Sequence, residues 1–240
     1  MLHTTRGIVL QTFPYTDSSL VTKIYTEAFG LQSYLANAAH SKRSGTRANL
    51  LQPLNLVECV VYKKEKKQLQ RIKEIRIEHP YNSIPMDVRK SSIVLFLDEI
   101  LYRSIHEEEP NAGLFEFVRS SLLVLDLKTG SCADFHLYFL VQLSRYLGFY
   151  PSGNFSEEEK YFDMQDGVFR GTEPSHPLRL EPGLARRLDE LMRGNYESIP
   201  SLGISHMERK ALLEKLIQYY ELHVPGLREI KSHKVLEEVL

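Results

Sequence analysis

The side chains in this 240-residue chain whose types and spacing suit them to chemistry are mostly cations. The stretch HSKRSGTR places Lys42, Arg43 and Arg47 among serine, threonine and a single glycine. Guanidinium and ammonium groups contact phosphate directly, and hydroxyls and loop amides add hydrogen bonds to the same oxygens. A second cluster, Lys63, Lys64, Lys66 and Lys67, falls at a predicted hairpin tip and is continued by Arg71, Lys73 and Arg76 along the next strand. Either cluster alone also reads as a solvated turn, but two on one small β-rich segment point to a groove that tracks phosphates. Tyr15, Tyr25, Phe29 and Tyr34 are candidates for stacking on bases, as binders of single strands require, with core or hairpin packing as the alternative for each.

Other chemistries find little support. No nucleophile elbow, phosphate-binding glycine loop, dinucleotide glycine pattern or HExxH is present. The nine histidines are dispersed, and His136 lies on an apolar stretch where a core histidine is the simpler reading. The acidic runs at 107–109 and 157–159 offer carboxylates to a hard cation, yet each sits in turn-like sequence where solvated charge suffices. Cys59 and Cys132, the only two cysteines, exclude a disulfide framework and a four-cysteine zinc site. Cys59 lies in the apolar run LVECVVY, the setting of an inert thiol. No catalytic residue, metal ligand or cofactor-binding motif emerges, so the expectation is a protein that is not an enzyme.

The elements that position the cations divide the chain. The 30 Lys and Arg against 31 Asp and Glu give a formal net charge of −1, which on its own suggests no partner. Residues 1–80, however, hold 12 basic and 6 acidic side chains, against 18 and 25 in the remainder. An acidic partner is therefore expected on the first segment only. Strands are predicted over 4–13, 20–26, 31–36, 54–62 and 69–78, the last with one slip in its alternation. Five short strands, read as antiparallel, suggest a small closed barrel; an OB-fold is the first candidate and an SH3-like barrel fits the strand count nearly as well. Past His79 and Pro80 the period becomes helical, with helices expected over 87–105, from 111 to about 127, over 133–147 and 182–193, from the Ser205/Glu208 capping box to about 224, and over 232–240. An irregular insert with one hairpin covers about 151–177. The expected fold class is α+β: an OB-fold-like nucleic-acid-binding domain over 1–80, then a mainly α-helical bundle domain over 81–240. The start MLHTTRGIVL lacks the basic and apolar regions of a signal peptide, and no apolar run reaches the ~18 residues of a membrane span, so a cytoplasmic protein is expected.

The pieces GIVLQTFPYTDSSLVTKIYTEAFG and YLANAAHSKRSGTRANLLQPLNLVE, with LSRYLGFYP at 143–151 and the terminal IKSHKVLEEVL, resemble the RecO recombination-mediator family over nearly the whole length. The matching positions are Gly7 to Leu10, Asp17, Thr26 to Gly30, the loop over 38–44 and Leu51 to Pro53. The resemblance implies a non-catalytic role in DNA repair. Such a protein binds single- and double-stranded DNA, anneals complementary strands and binds the C-terminal tail of single-strand-binding protein. With RecR it helps load RecA, and its place is the bacterial nucleoid. Carried onto this chain, the DNA contacts are Lys42, Arg43 and Arg47, with Lys23 on the barrel. Many members carry a four-cysteine zinc module after the LGYxP-like segment, and residues 151–177 here contain no cysteine. Ala39 and His40 also stand where the family usually places glycine and arginine. A second functional class is an adaptor that takes an acidic partner tail on the helical half, flanked by Arg119 or Arg145, with only minor DNA contact.

Overall fold

The computed structural model describes residues 1–17, 19–37, 49–64, 67–227 and 229–240. Lys42, Arg43, Arg47 and Lys66 lie outside the described residues. The chain forms two compact units, Met1–Met86 with Val94–Asp126, and Asp87–Ile93 with Leu127–Leu240.

The first unit is built on β1 (Leu2–Thr16), β2 (Ser19–Thr26), β3 (Gly30–Asn37), β4 (Leu56–Tyr62) and β5 (Leu69–Ile77), closed in the order β1-β2-β3-β5-β4. The β3–β5 pairing is parallel, which corrects the all-antiparallel reading. After β3 the chain crosses to pair β4 with β1, leaving β5 to return between β4 and β3. This order is that of the OB-fold and removes the SH3-like alternative. Inward-facing Val9, Ile24, Tyr34, Val57, Cys59 and Val61 form the core, with Ile72, Ile75 and Ile77 of β5 packed on it. The slip in β5 is a bulge: Val60 pairs with Glu74 and Val61 with Ile72, so Lys73 is the extra residue. It lets three isoleucines face inward although their spacing changes from three to two.

Two helical stretches complete this unit: residues 94–104 of α1 (Val88–Ser104), and α2 (Ala112–Leu127) up to Asp126. They cover part of the outer face of β2 and β3. Tyr25 packs on Phe115 with ring centroids 6.3 Å apart, and the Leu31 N–H donates to the Glu107 carbonyl at 3.0 Å. Gly30 adopts φ +60°, and a Cβ there would lie 2.4 Å from the Glu109 carbonyl oxygen, so this close passage requires glycine. Ion pairs tie the cover down: Arg6 reaches Glu27 (2.6 Å) and Glu116 (2.5 Å), and Arg119 reaches Glu78 (2.6 Å). The Asp126 side chain is buried and accepts the backbone N–H groups of Asn82, Ser83 and Ile84 at 2.8–3.1 Å. Burial works to raise its pKa, but those donors outweigh it and hold the carboxyl below the usual range.

The second unit contains α3 (Phe135–Tyr146), α4 (Pro182–Arg193), α5 (His206–His223) and α6 (His233–Val239). α3 is buried on nearly every side, and burial pushes the His136 imidazole down to about 3. α5 opens with the expected capping box: Ser205 Oγ accepts from Glu208 N–H, and the Glu208 carboxylate accepts from Ser205 N–H. The insert is a three-stranded sheet, β6 (Tyr161–Asp163), β7 (Val168–Arg170) and β8 (Arg179–Leu180), in the order β7-β6-β8. The third strand was not evident in the sequence. Asp163 organises the turn, accepting from Gln165 N–H (3.0 Å), Asp166 N–H (3.2 Å) and Arg170 Nε (3.1 Å), with His176 Nε2 at 3.4 Å. A guanidinium against the carboxylate and no thiolate nearby do not fit a zinc ion. Among the described residues no helix is long and apolar enough to cross a membrane.

Candidate nucleic-acid interface

The sheet registers define one row of outward side chains around the barrel. Cross-strand partners run Phe13–Val21–Leu35–Arg71–Tyr62–Leu2. Each is outward because its chain neighbours face the core: Tyr34 and Ala36 beside Leu35, Val61 beside Tyr62, Ile72 beside Arg71. Lys23 lies one row along, beside Ser33, whose partner on β5 is Leu69.

At the β4–β5 end of this row is a groove of about 690 Å³. Its apolar lining is Leu35, Tyr62 and Leu69, and its polar lining is Lys64, Lys67, Gln68, Gln70 and Arg71. The tip carrying the lysines is held by one buried side chain. Gln70 accepts from Lys64 N–H at 2.9 Å and donates to the carbonyls of Lys64 (2.9 Å) and Lys67 (2.6 Å). The Lys67 N–H closes the turn on the Lys64 carbonyl at 3.1 Å. Three side chains expected to meet DNA, Lys64, Lys67 and Arg71, thus line one groove, with the backbone at Lys64 and Lys67 tied to Gln70. None of the three has a carboxylate partner among the described residues.

The other expected contacts are placed differently. Lys63 points away from the groove: its Nζ donates to Gln32 Oε1 at 2.9 Å and lies over the Phe29 ring. Lys73 stands on the bulge with Glu74 at 3.5 Å, and Arg76 pairs with Glu58 at 2.6 Å. Beyond the bulge the outer face of β4 and β5 therefore turns from cationic to mixed, with Glu58 and Glu74 among its outward residues. Lys23 stays on the outer face, with its ammonium 5.1 Å from the Tyr102 ring centroid. Of the four proposed stacking rings, Tyr34 is in the core, Tyr25 is covered by Phe115 and Phe29 is packed by His3 and Lys63. Only Tyr15, 61% exposed, keeps a free face. Tyr62, 38% exposed and lining the groove, is not among those four. The alternation Glu58–Val60–Tyr62 against Cys59–Val61 is the signal that marks it as outward. Phe13 is the other exposed ring in the row.

The two arginines considered for an acidic tail also differ. Arg119 is engaged with Glu78, and Glu116 lies at 3.7 Å. Arg145, at the end of α3, is exposed and stacks on the Tyr150 ring at 4.4 Å. Burial pushes the Cys59 thiol up to about 12 and raises that of Cys132, so neither is an activated nucleophile.

A closed barrel of this strand order, followed in sequence by a helical unit, defines the class: an OB-fold protein with a cationic groove on its outer face. Comparison with known proteins supplies the family. Residues 1–81 match the family described as Recombination protein O N terminal, and residues 85–233 match Recombination protein O C terminal. The DNA repair protein RecO of Bacteroides fragilis is 41% identical over 240 residues, covering 100% of this chain and 99% of its own length. RecO of Phocaeicola vulgatus is 39% identical with 100% and 99% covered, and RecO of Flavobacterium psychrophilum is 38% identical with 98% of each covered. The chain belongs to the RecO family, and its role lies in DNA repair and recombination.

Proposed function

We propose that the barrel binds the phosphate backbone of single- and double-stranded DNA at the Lys64–Lys67–Arg71 groove. Lys23 on the same outer face and the loop cations Lys42, Arg43 and Arg47 extend the contact. On this reading the chain is a non-catalytic recombination mediator of the bacterial cytoplasm and nucleoid. It anneals complementary strands and, with RecR, helps load RecA onto strands coated by single-strand-binding protein. One observation carries the reading: three cations without carboxylate partners among the described residues converge on a groove whose tip is pinned by Gln70. Elsewhere in the unit the described cations mostly neutralise neighbouring carboxylates.

Fluorescence anisotropy of a labelled oligonucleotide with the full chain, at two salt concentrations, tests it. Affinity should fall steeply with salt, because each phosphate neutralised releases condensed counterion. No binding at low salt, or binding indifferent to salt, would sink the proposal. A tail-binding function of the helical unit is supported by Arg145, an exposed cation on an aromatic shelf, whereas Arg119 is already engaged. Calorimetric titration with a peptide of the single-strand-binding-protein tail, repeated on Arg145→Glu, decides it: heat that survives the substitution removes Arg145 from the site.

A further inference from the structure

We propose that Tyr62 is the seat of an unpaired base, and that this ring makes the groove prefer single strands to duplex. The inference rests on the DNA-binding reading above and deepens it. Tyr62 keeps a free face at the groove, its neighbours Leu35 and Leu69 are apolar, and its direct partner across β4–β5 is Arg71. An aromatic face on an apolar floor with cations at the rim matches one nucleotide: ring on ring, phosphates on guanidinium and ammonium. An acidic peptide without an aromatic side chain would satisfy the rim but leave the Tyr62 ring without a planar partner. Bases in a duplex are already stacked on one another, so only an unpaired strand can present a face to Tyr62 without unstacking. The volume of about 690 Å³ lies within the ~300–1,000 Å³ typical of small-ligand seats.

The chain contains no tryptophan, so Tyr62→Trp in the full-length protein gives a single reporter at the seat. With an oligothymidylate, Tyr62→Trp should bind and its emission should be quenched; a duplex of equal length should quench far less. In Tyr62→Ala the ratio of single-strand to duplex affinity should fall about tenfold, and Tyr62→Phe, which keeps the ring, should restore it. Thermal melts of each variant separate loss of fold from loss of stacking. An unchanged ratio in folded Tyr62→Ala, or an unquenched tryptophan at saturation, overturns the seat while leaving phosphate binding in place. Absence of any DNA binding by the unsubstituted protein at low salt instead overturns the parent reading. Quenching by an acidic peptide and not by the oligonucleotide assigns the groove to a protein tail.

Discussion

Two parts of the barrel exterior carry cations, and they use them in opposite ways. Where the helical cover meets the barrel, Arg6 and Arg119 meet Glu27, Glu116 and Glu78 at 2.5–2.6 Å. At the β4–β5 tip, Lys64, Lys67 and Arg71 stand together with no such partners among the described residues. The first arrangement satisfies itself and holds the fold. Among the described residues the second leaves charge without a carboxylate, and the backbone bonds at Lys64 and Lys67 come from an uncharged residue, Gln70. A basic residue that neutralises a neighbouring carboxylate, as Arg6 and Arg119 do, is thus the weaker pointer to a ligand.

The sharpest way to break this contrast is to reverse the tip. Lys64→Glu, Lys67→Glu and Arg71→Glu together should lower single-strand affinity by more than about 100-fold at low salt and reduce the salt slope by about two, with an unchanged melting temperature. The cover should respond in the opposite sense. Asp126→Ala, which leaves the buried Ile84 N–H and the part-buried Asn82 and Ser83 N–H groups without their acceptor, should cost about 2 kcal/mol in denaturant unfolding while DNA affinity at equal folded fraction stays the same. Arg6→Ala, at a partly exposed site, should cost about 1–2 kcal/mol and also spare the salt slope. A change in slope for either would show that the two charge systems are one. A finer test is Gln70→Ala, which keeps every cation but frees the tip; affinity should drop about threefold with the salt slope intact, since the number of phosphate contacts is unaltered.

The smallest effect concerns the helical unit, where a carboxylate serves structure. Hydrogen bonding from Arg187, then from Ser205, pulls the Glu208 carboxyl down to about 2 from its ordinary 4.5. The unfolded chain binds this proton first as pH falls. The stabilisation is therefore complete above about 4.5 and is lost as pH drops through the folded value near 2. The melting-temperature gap between the unsubstituted protein and Glu208→Gln should be constant from pH 7 to 5 and close towards pH 2. A gap that widens in acid would show that Arg187 and the cap do not act on the charged form.

What was readable in the sequence was local. The Ser205/Glu208 cap, the helices and the five strands follow from spacing within a few residues, and the β5 slip was visible in its isoleucines. The site was half legible. The lysine tip showed as composition, but which tyrosines face out depends on partners far along the chain: Tyr25 is closed off by Phe115, and Lys23 is approached by Tyr102. Arg119, a candidate flank for an acidic tail in the sequence, is already engaged by Glu78 far along the chain. Lys63 and Lys64, adjacent in the sequence, serve different ends because alternate residues face opposite ways.

The extra residue on β5 also means that the site is set by counting as much as by residue type. Deleting Lys73 would make the pairing of β4 and β5 continuous with both ends in their present register, Val60 on Glu74 and Val61 on Ile72. Deleting Ile72 instead, with the bulge kept, brings Arg71 into the inward place, turns Leu69 inward and Gln70 outward, and so removes the rim cation and the pin of the tip in one step. A single-codon deletion would then abolish the groove with Arg71 still present in the sequence, so alignments that preserve the basic residues but not the length of this strand would mistake lost sites for intact ones.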